Sequence, residues 1–217
     1  MVSSQTTQTQ NISVLCSSKG RTFLPTTVES WLSQSLVEGD KLIILADGVQ
    51  IDDQWDSPFV EVRLLHKVGT YGNKHRANAI EAGLPTSYYT LLDDDDVYLP
   101  GAIEMIRPYL DGFPVAHPLL DGLQDGTQLA FDVANGLPGS SFRVLLPNSK
   151  LITWLLPGWS DALFMQNACK PFGECRTFFN PLSVSRAPLL SKEKWLELDL
   201  PIEFDPEWAK QFKGRGD

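Results

Sequence analysis

A run of four aspartates, Asp93 to Asp96, follows an apolar stretch and constrains this chain more than any other feature. Residues 88–92 have the pattern of a buried β-strand, and Pro100 can open a helix because its missing N–H is not needed there. Two unit charges about 4 Å apart repel by roughly 4 kcal/mol at an effective dielectric constant of about 20. A fold carries such a run where a cation or hydrogen-bond donors offset the repulsion. Since ligands bind at the carboxyl ends of strands in open α/β sheets, the sequence predicts a metal site at a strand end.

Other chemistries share part of this acidic pattern. A nucleotide-binding P-loop needs the form GxxxxGK[ST], which the sequence lacks, and an EF-hand loop needs glycine where Tyr98 stands. Asp93-x-Asp95-x-Val97 resembles the nucleophile motif of haloacid-dehalogenase-like phosphatases, although three predicted strands precede it here and that family normally places it on its first strand. A solvated acidic turn is the non-functional alternative. The hypothesis that we retain is a divalent cation bound by one or two carboxylates and by the phosphates of a substrate, the coordination that Mg²⁺ prefers.

Upstream of the acidic run, short apolar segments alternate with helical patterns. We predict strands at residues 12–16, 41–46 and 59–65, and helices at residues 22–36 and 74–82, the first of them capped by Thr22. This alternation is typical of a largely parallel sheet flanked by helices. Because parallel strands end at one edge, Ser17, Asp47, His66 and Lys67 should lie there with the acidic run. Along an extended backbone, Asp93 and Asp95 would share one face and Asp94 and Asp96 the other.

The pattern changes after residue 112, where Pro, Gly and Trp become frequent. We predict a strand at residues 115–117 and pairing between residues 128–133 and 142–146 around the Asn135-Gly136 and Pro138-Gly139 turns. Residues 149–155 and 160–167 are apolar segments without a clear period. The polar residues 1–11 are predicted to form a disordered lead-in, and residues 12–217 a single domain.

Composition restricts the partners and the location of the protein. The net charge of −9 argues against a general nucleic-acid binder, although a divalent cation can still neutralise the phosphates of a nucleotide ligand. No apolar run approaches the length of a membrane span, and the N-terminus lacks the regions of a signal peptide. We therefore expect a cytoplasmic protein without a membrane span.

The acidic segment and four stretches before it together resemble the family 2 glycosyltransferases, which have the GT-A fold. Residues 91–100 are similar to the DxD segment of that family, in which apolar residues precede Asp-x-Asp-Asp and a proline follows. Residues 12–18 resemble the first strand of the family, and residues 31–35 its first helix. Residues 43–48 resemble its "IVDDGS" segment, and residues 71–80 its "ARNxGI" segment. Each motif is weak alone, but the ordered set is fairly specific.

The resemblance implies an α/β protein of the GT-A type, with a Rossmann-like, mostly parallel central sheet flanked by helices and a small irregular C-terminal acceptor region. Residues 12–112 would form the nucleotide-sugar-binding half, and residues 113–217 the acceptor and catalytic half. The implied activity is that of a hexosyltransferase that moves a sugar from a nucleotide-sugar donor to an acceptor hydroxyl, and the expected donor is a UDP-sugar. Mn²⁺ or Mg²⁺ would stabilise the leaving nucleoside diphosphate as a Lewis acid.

The resemblance also assigns residues to the donor site. Ser17, Ser18 and Asp47 would line the nucleobase pocket, with Asp47 accepting a hydrogen bond from a base N–H. Arg76 or Lys74 would contact the base or the diphosphate. These five residues come from three separate segments that the predicted sheet would bring together.

Within the acidic run, the family pattern gives each carboxylate a role. Asp93 and Asp94 would approach the ribose or the sugar, and Asp95, with Asp93, would hold the metal. Because Asp94 is itself acidic here, the exact division among the neighbours stays open.

The general base of the family is usually the second acid of an "ED" pair far downstream. Asp161 is the best match, although Ser160 stands where the first acid of that pair belongs. Glu174, Glu193 and Asp199 are competing candidates. With Asp161 as the base, transfer would invert the anomeric centre by direct displacement. Two other functions stay open: a non-catalytic relative that binds a nucleotide sugar or a metal, and a metal-dependent phosphatase using Asp93.

Overall fold

Four parallel strands form the part of the sheet that carries the acidic run. The computed structural model describes residues 10–51, 54–68, 73–128, 133–134, 137–138, 142–148 and 169–213. The strands are β1 (Ile12–Ser18), β2 (Lys41–Asp47), β3 (Val60–Leu65) and β4 (Tyr88–Asp93), in the spatial order β3-β2-β1-β4. Each neighbouring pair is parallel, as the alternation of strands and helices predicts. β1 and β2 are buried along nearly their whole length, which explains their almost uninterrupted apolar sequences.

Helices cover the two faces of these strands. Alternate residues of β1 point to opposite faces, so Val14 packs in a core cluster with α1 (Leu24–Leu32), whereas Leu15 packs in a second cluster with α2 (Asn73–Glu81). Both clusters continue through β2. This packing on both faces holds the parallel strands in a register in which they end at the same edge of the sheet.

Helix α1 is shorter than predicted and lacks the Thr22 cap. Phe23 occupies the N-cap position without a side-chain hydrogen bond, and the helix ends at Leu32. The Ser30 hydroxyl donates to Thr27 O, and the Gln34 amide donates to Leu99 O and Ser30 O. The bond from Gln34 to Leu99 O, together with the bond that Tyr98 N–H donates to the Ser30 hydroxyl, connects this segment to the chain after β4. Such side-chain hydrogen bonds compete with continuation of the helix.

The chain after β4 forms β5 (Val97–Tyr98), α3 (Ala102–Ile106) and a 3-10 helix (Arg107–Tyr109). The second half then adds short strands: β6 (Val115–Asp121), β7 (Thr127–Gln128), β8 (Val133–Ala134), β9 (Leu137–Pro138), β10 (Phe142–Pro147), β11 (Arg176–Thr177) and β12 (Ser183–Ser185). The last helices are α4 (Lys192–Glu197) and α5 (Glu207–Lys213), and further 3-10 helices cover Gly122–Gln124, Lys170–Phe172 and Ala187–Leu189.

The sheet continues from the first half into the second and becomes mixed. Its order runs β4-β10-β6-β12-β5, with β10 antiparallel to both β4 and β6, and β12 parallel to β6. The predicted pairing of residues 128–133 with residues 142–146 is wrong. β8 and β9 form their own hairpin, whereas β10 lies between β4 and β6, where Val144, Leu145 and Leu146 are buried. The burial of β10 between β4 and β6 thus outweighs the turn residues at 135–136 and 138–139, on which the predicted pairing is based.

A third core cluster joins the C-terminal helices to the loop after β1. Phe23 packs edge-on against Trp195 and Trp208, with ring centroids 6.3 and 4.8 Å apart. This contact fixes the base of the loop that leads from β1 into α1. Across the described part of the chain, none of the helices has both the length and the apolar character that a bilayer span requires.

Candidate functional site

The backbone turns sharply immediately after β4. Residues 94 and 95 form a turn in which Asp96 N–H donates to Asp93 O at 3.1 Å, so the extended alternation predicted for the acidic run is wrong. Asp96 therefore joins Asp93 and Asp95, and each of the three offers a carboxylate oxygen within 4.8 Å of the others. We call residues 93–96 the acid turn.

Asp96 is bound into the protein interior. Its residue is 1% exposed, and Oδ1 accepts from Arg186 N–H at 3.0 Å. Oδ2 accepts from Asp93 N–H at 3.1 Å and from the guanidinium of Arg143, which also donates to Leu91 O. A buried carboxylate with this many donors stabilises the turn itself and connects it to β10.

Asp94 ties the acid turn to the loop after β1. Its Oδ2 accepts from the Ser18 hydroxyl at 2.7 Å and from Lys19 N–H at 3.1 Å. Arg21 Nη1 lies 3.2 Å from the other oxygen. Ser18 and Asp94, both predicted to bind the donor, are therefore bonded to each other.

Asp95 also faces Arg21. Arg21 Nη1 lies 2.6 Å from Asp95 Oδ2. Burial raises the pKa of Asp95 to about 6; the guanidinium of Arg21 opposes this rise, and the charges of Asp93 and Asp94 add to it. The Asp95 carboxylate is therefore short of compensating positive charge in this environment, which is what a cation would supply.

Asp93 is the most exposed member of the acid turn. Its side chain is 51% exposed, and Oδ1 accepts from Arg76 Nη2 at 2.6 Å. Partial desolvation alone would raise its pKa, but the guanidinium groups of Arg76 and Arg143 outweigh this and lower the pKa of Asp93 to about 2. Arg76 is buried and also donates to Leu92 O at 2.5 Å. Asp93 thus stays ionised at the open side of the turn.

Asp47, at the end of β2, has one bonded and one unbonded oxygen. Oδ1 accepts from Val68 N–H at 2.8 Å and lies 3.1 Å from His75 Nε2. Oδ2 is buried and has no hydrogen-bond partner among the residues described. Burial acts to raise the pKa of Asp47, but the hydrogen bonds from Val68 N–H and His75 lower it below its ordinary value. The carboxylate is therefore charged and can accept from a ligand N–H.

The parallel sheet places these groups at neighbouring strand ends. Ser17 on β1 stands opposite Asp93 in register with β4, and β1 also pairs with β2, which ends in Asp47. Lys74 lies on the exposed side of α2, next to His75. Asp161, the predicted base, lies outside the described residues, and among its competitors Glu174 is 3.5 Å from Arg176.

Sequence reasoning missed the groups that neutralise the acid turn. The guanidinium groups of Arg21 and Arg143 pair with its carboxylates, whereas Arg186 donates only its backbone N–H to the turn and pairs its guanidinium at two points with Asp121 at the end of β6. Arg143 is 47 residues from Asp96 in the chain, and no motif connects the two. Arg21 follows the end of β1 by three residues. Its closeness in sequence to a predicted strand end could therefore have identified it as a site residue.

The carboxylates that remain at the open side fit a divalent cation. Both Asp96 oxygens already accept hydrogen bonds, which leaves Asp93 and Asp95 as the residues that would hold the ion. Carboxylate oxygens are the ligands that Mg²⁺ and Mn²⁺ prefer, and one or two of them suffice when substrate phosphates complete the coordination. The site can thus combine a cation, a charged acceptor at Asp47 and a guanidinium at Arg76.

Comparison by sequence and by structure gives different results. No protein-family model matches the chain, and no curated protein matches it in sequence. The crystal structure of S. aureus TarS is similar, with a TM-score of 0.63 and 12% identity, covering 87% of this chain and 38% of that chain. The structure of S. aureus TarS 1-349 in complex with UDP-GlcNAc has a TM-score of 0.65 and 12% identity, covering 81% of this chain and 58% of that chain.

This likeness establishes the fold. TarS is a GT-A-type glycosyltransferase, so the predicted α/β GT-A architecture is confirmed, with a central sheet that is mixed overall. The chain spans about two fifths to three fifths of the length of these matching TarS chains. At 12% identity, the comparison carries the fold, and the activity is argued below from the residues.

Proposed function

We propose that this protein is a metal-dependent glycosyltransferase that transfers a sugar from a nucleotide-sugar donor to an acceptor hydroxyl. The observation that carries the proposal is the arrangement at one sheet edge of Asp47, Asp93 and Asp95 on a GT-A fold. One structural neighbour, TarS, is in complex with UDP-GlcNAc, which supports a UDP-sugar as the donor. A cytoplasmic location and the division at residue 112 stay predictions.

The chemistry of Asp47 favours certain bases. Its buried Oδ2 needs a donor, and its depressed pKa keeps it an acceptor at neutral pH. Uracil offers a ring N–H where cytosine offers a ring nitrogen acceptor, so the charged carboxylate selects a uridine nucleotide over a cytidine nucleotide. Ser17, at the adjacent strand end, would line the same pocket, and Lys74 remains a candidate contact of the base or the diphosphate.

The acid turn would hold the cation that supplies Lewis-acid stabilisation to the departing diphosphate. Asp93 and Asp95 are the proposed ligands, and either Mn²⁺ or Mg²⁺ suits two carboxylates. Arg76 is fixed by Asp93 and by Leu92 O, so it presents its charge next to the proposed ion. Asp94 is predicted to approach the ribose or the sugar, but it is buried, and its carboxylate is already bonded to Ser18 and paired with Arg21.

The acceptor side rests on the sequence alone. We propose Asp161 as the base that takes the proton of the acceptor hydroxyl, with inversion at the anomeric carbon. A binding module without activity would keep the donor site and lack this step. The phosphatase alternative would require Asp93 as nucleophile, and Arg76 already pairs with Asp93 Oδ1 at 2.6 Å. No observation on the described residues favours that alternative.

The experiment that tests the proposal separates donor binding from transfer. Titration calorimetry with UDP and UDP-sugars, with and without Mn²⁺, measures binding, and release of UDP in the presence of an acceptor panel measures turnover. We expect Asp95→Asn to abolish metal-dependent binding and Asp161→Asn to bind the donor without turnover. Asp56→Asn, at an exposed position, is the matched control.

The outcomes separate the alternatives. Binding without UDP release under any acceptor supports the binding module, and hydrolysis of small phosphomonoesters that depends on Asp93 supports the phosphatase. No binding of any uridine nucleotide with Mn²⁺ would overturn the proposal itself.

A further inference from the structure

We propose that Arg21 is an internal cation that competes with the divalent ion for Asp95 and transfers to the donor's diphosphate when the ion binds. The inference rests on the proposed function and deepens it by assigning a phosphate-binding residue. Arg21 lies in the loop between β1 and α1, at the same sheet edge as the acid turn. Its Nη1 is 2.6 Å from Asp95 Oδ2 and 3.2 Å from Asp94 Oδ1.

The two carboxylates that Arg21 bridges differ in their other partners. Asp94 also accepts from the Ser18 hydroxyl and from Lys19 N–H, so it keeps donors when the guanidinium leaves. Asp95 is one of the two proposed ligands of the ion, and Arg21 is bonded to it directly. Arg21 therefore bonds to a carboxylate that the ion would use, and because two cations at one carboxylate repel each other, the guanidinium and the ion compete for it.

The exposure of Arg21 allows it to move where its partners cannot. Its side chain is 31% exposed, whereas Asp94 and Asp95 are buried. The loop backbone is held by Phe23, which packs edge-on against both Trp195 and Trp208. A long side chain on a fixed backbone can reorient by changing rotamers, so exchange requires no change in the fold.

The chemistry of the guanidinium indicates where it goes. Its planar fork matches two phosphate oxygens as well as it matches carboxylates, and such charge-assisted pairs are stronger than neutral hydrogen bonds. A diphosphate held by an ion at Asp93 and Asp95 brings phosphate oxygens to the position next to Arg21. Moving from Asp95 to the diphosphate lets Arg21 exchange one anion for another, so the ion and the nucleotide favour each other's binding.

The test measures the binding of Mn²⁺ and of UDP separately, in the wild type and in two variants of Arg21. Calorimetry with Mn²⁺ alone compares the wild type with Arg21→Gln and Arg21→Lys, and a second titration adds UDP at saturating Mn²⁺. We expect Arg21→Gln to bind Mn²⁺ about tenfold more tightly and UDP about tenfold more weakly than the wild type. Lysine keeps the competing charge but lacks the fork, so Arg21→Lys should bind Mn²⁺ as the wild type does and UDP more weakly.

A matched control exists on β3. Arg63 is 32% exposed and pairs with Glu61 at 2.6 Å, so Arg63→Gln removes a comparable ion pair outside the site. It should leave both affinities unchanged. Mn²⁺ affinity that is unchanged or lower in Arg21→Gln would overturn the competition.

Failure of the proposed function gives a different result. If the wild type binds no UDP with Mn²⁺, the donor proposal fails and the phosphate role of Arg21 falls with it, while the titration with Mn²⁺ alone still decides the competition. If Arg21→Gln does not fold, Arg21→Lys decides the phosphate role, because equal UDP affinity in that variant and the wild type overturns it. If Arg21→Gln does not fold, the competition is tested in the wild type by NMR, which follows the Arg21 Nε–H resonance during titration with Mg²⁺. A change in its chemical shift supports the competition, and an unchanged chemical shift overturns it.

Discussion

The inner and outer sides of the acid turn are made of the same residue type and have different roles. On the inner side, Asp94 and Asp96 accept hydrogen bonds from backbone N–H groups and are paired with arginines. On the outer side, Asp93 is half exposed and Asp95 has a raised pKa of about 6. The comparison shows that Asp94 and Asp96 are bonded into the fold, whereas Asp93 and Asp95 are the ones that we propose as ligands of an ion.

The difference comes from partners and not from position in the sequence. Backbone N–H groups and the guanidinium of Arg143 satisfy Asp96 so fully that it is a poor ligand for an added ion. On the outer side, Asp93 pairs with Arg76 and Asp95 with Arg21, through guanidinium groups that can also contact phosphates; Arg21 in addition bridges to Asp94 on the inner side. Each prediction below tests one side of this comparison.

Replacing Asp96 with alanine should cause the largest loss of stability. The change leaves Arg143 buried without its counter-charge and removes the acceptor of Asp93 N–H and Arg186 N–H. Breaking one side of a buried pair typically costs about 3–5 kcal/mol in the free energy of unfolding. Urea denaturation measures it, with the exposed Asp56→Ala expected to change stability by less than about 0.5 kcal/mol. A loss for Asp96→Ala no larger than that of the control would contradict the structural role of Asp96.

Part of the loss of folding stability at acid pH should come from His117. This part has to be measured before the rest of the loss is assigned to the acid turn. His117 is buried on β6, and burial lowers its pKa to about 4, although a hydrogen bond with Pro118 O opposes the shift. The folded state therefore resists protonation, so between about pH 6.5 and 4 the unfolded state binds more protons and stability falls as the pH falls. The shift corresponds to at most about 3 kcal/mol across that window.

Denaturation at several pH values measures this component. His117→Gln should flatten the dependence of stability on pH between 4 and 6.5 relative to the wild type. An equally steep profile in the variant would mean that His117 does not account for the acid sensitivity in this range. The raised pKa of Asp95 acts in the opposite direction between about pH 6 and 4, and the lowered pKa of Asp93 acts only below this range.

Replacing Asp95 with alanine should have the smallest effect on the stability of the metal-free protein. Its raised pKa shows that the surroundings disfavour its charge, so removing it relieves repulsion from Asp93 and Asp94 as it removes the pair with Arg21. We expect a change within about 1 kcal/mol. We expect Mn²⁺ to raise the melting temperature of the wild type and, in contrast to Asp96→Ala, to leave that of this variant unchanged. A large loss of stability would place Asp95 on the inner side of the turn instead.

The sequence alone indicated much of the first half of the fold. Apolar strands alternating with helical segments predicted the parallel β1 to β4, and their register brings Ser17, Asp47 and Asp93 to one edge. Such patterns are local, because the apolar residues of each strand by themselves indicate that the strand is buried. The same logic failed for β10, because its neighbours β4 and β6 are distant in the chain.

What the sequence by itself determined is that four carboxylates stand at the end of a buried strand and need compensation. Only the tertiary structure decided which groups compensate them: the Arg143 guanidinium reaches Asp96 from β10, the backbone N–H of Arg186 reaches Asp96 from the end of β12, and the Arg76 guanidinium reaches Asp93 from α2. These partners are separated from their carboxylates by 47, 90 and 17 residues. Charge pairing depends on distance in space, and that distance is set by how the strands and helices pack and not by any spacing along the chain.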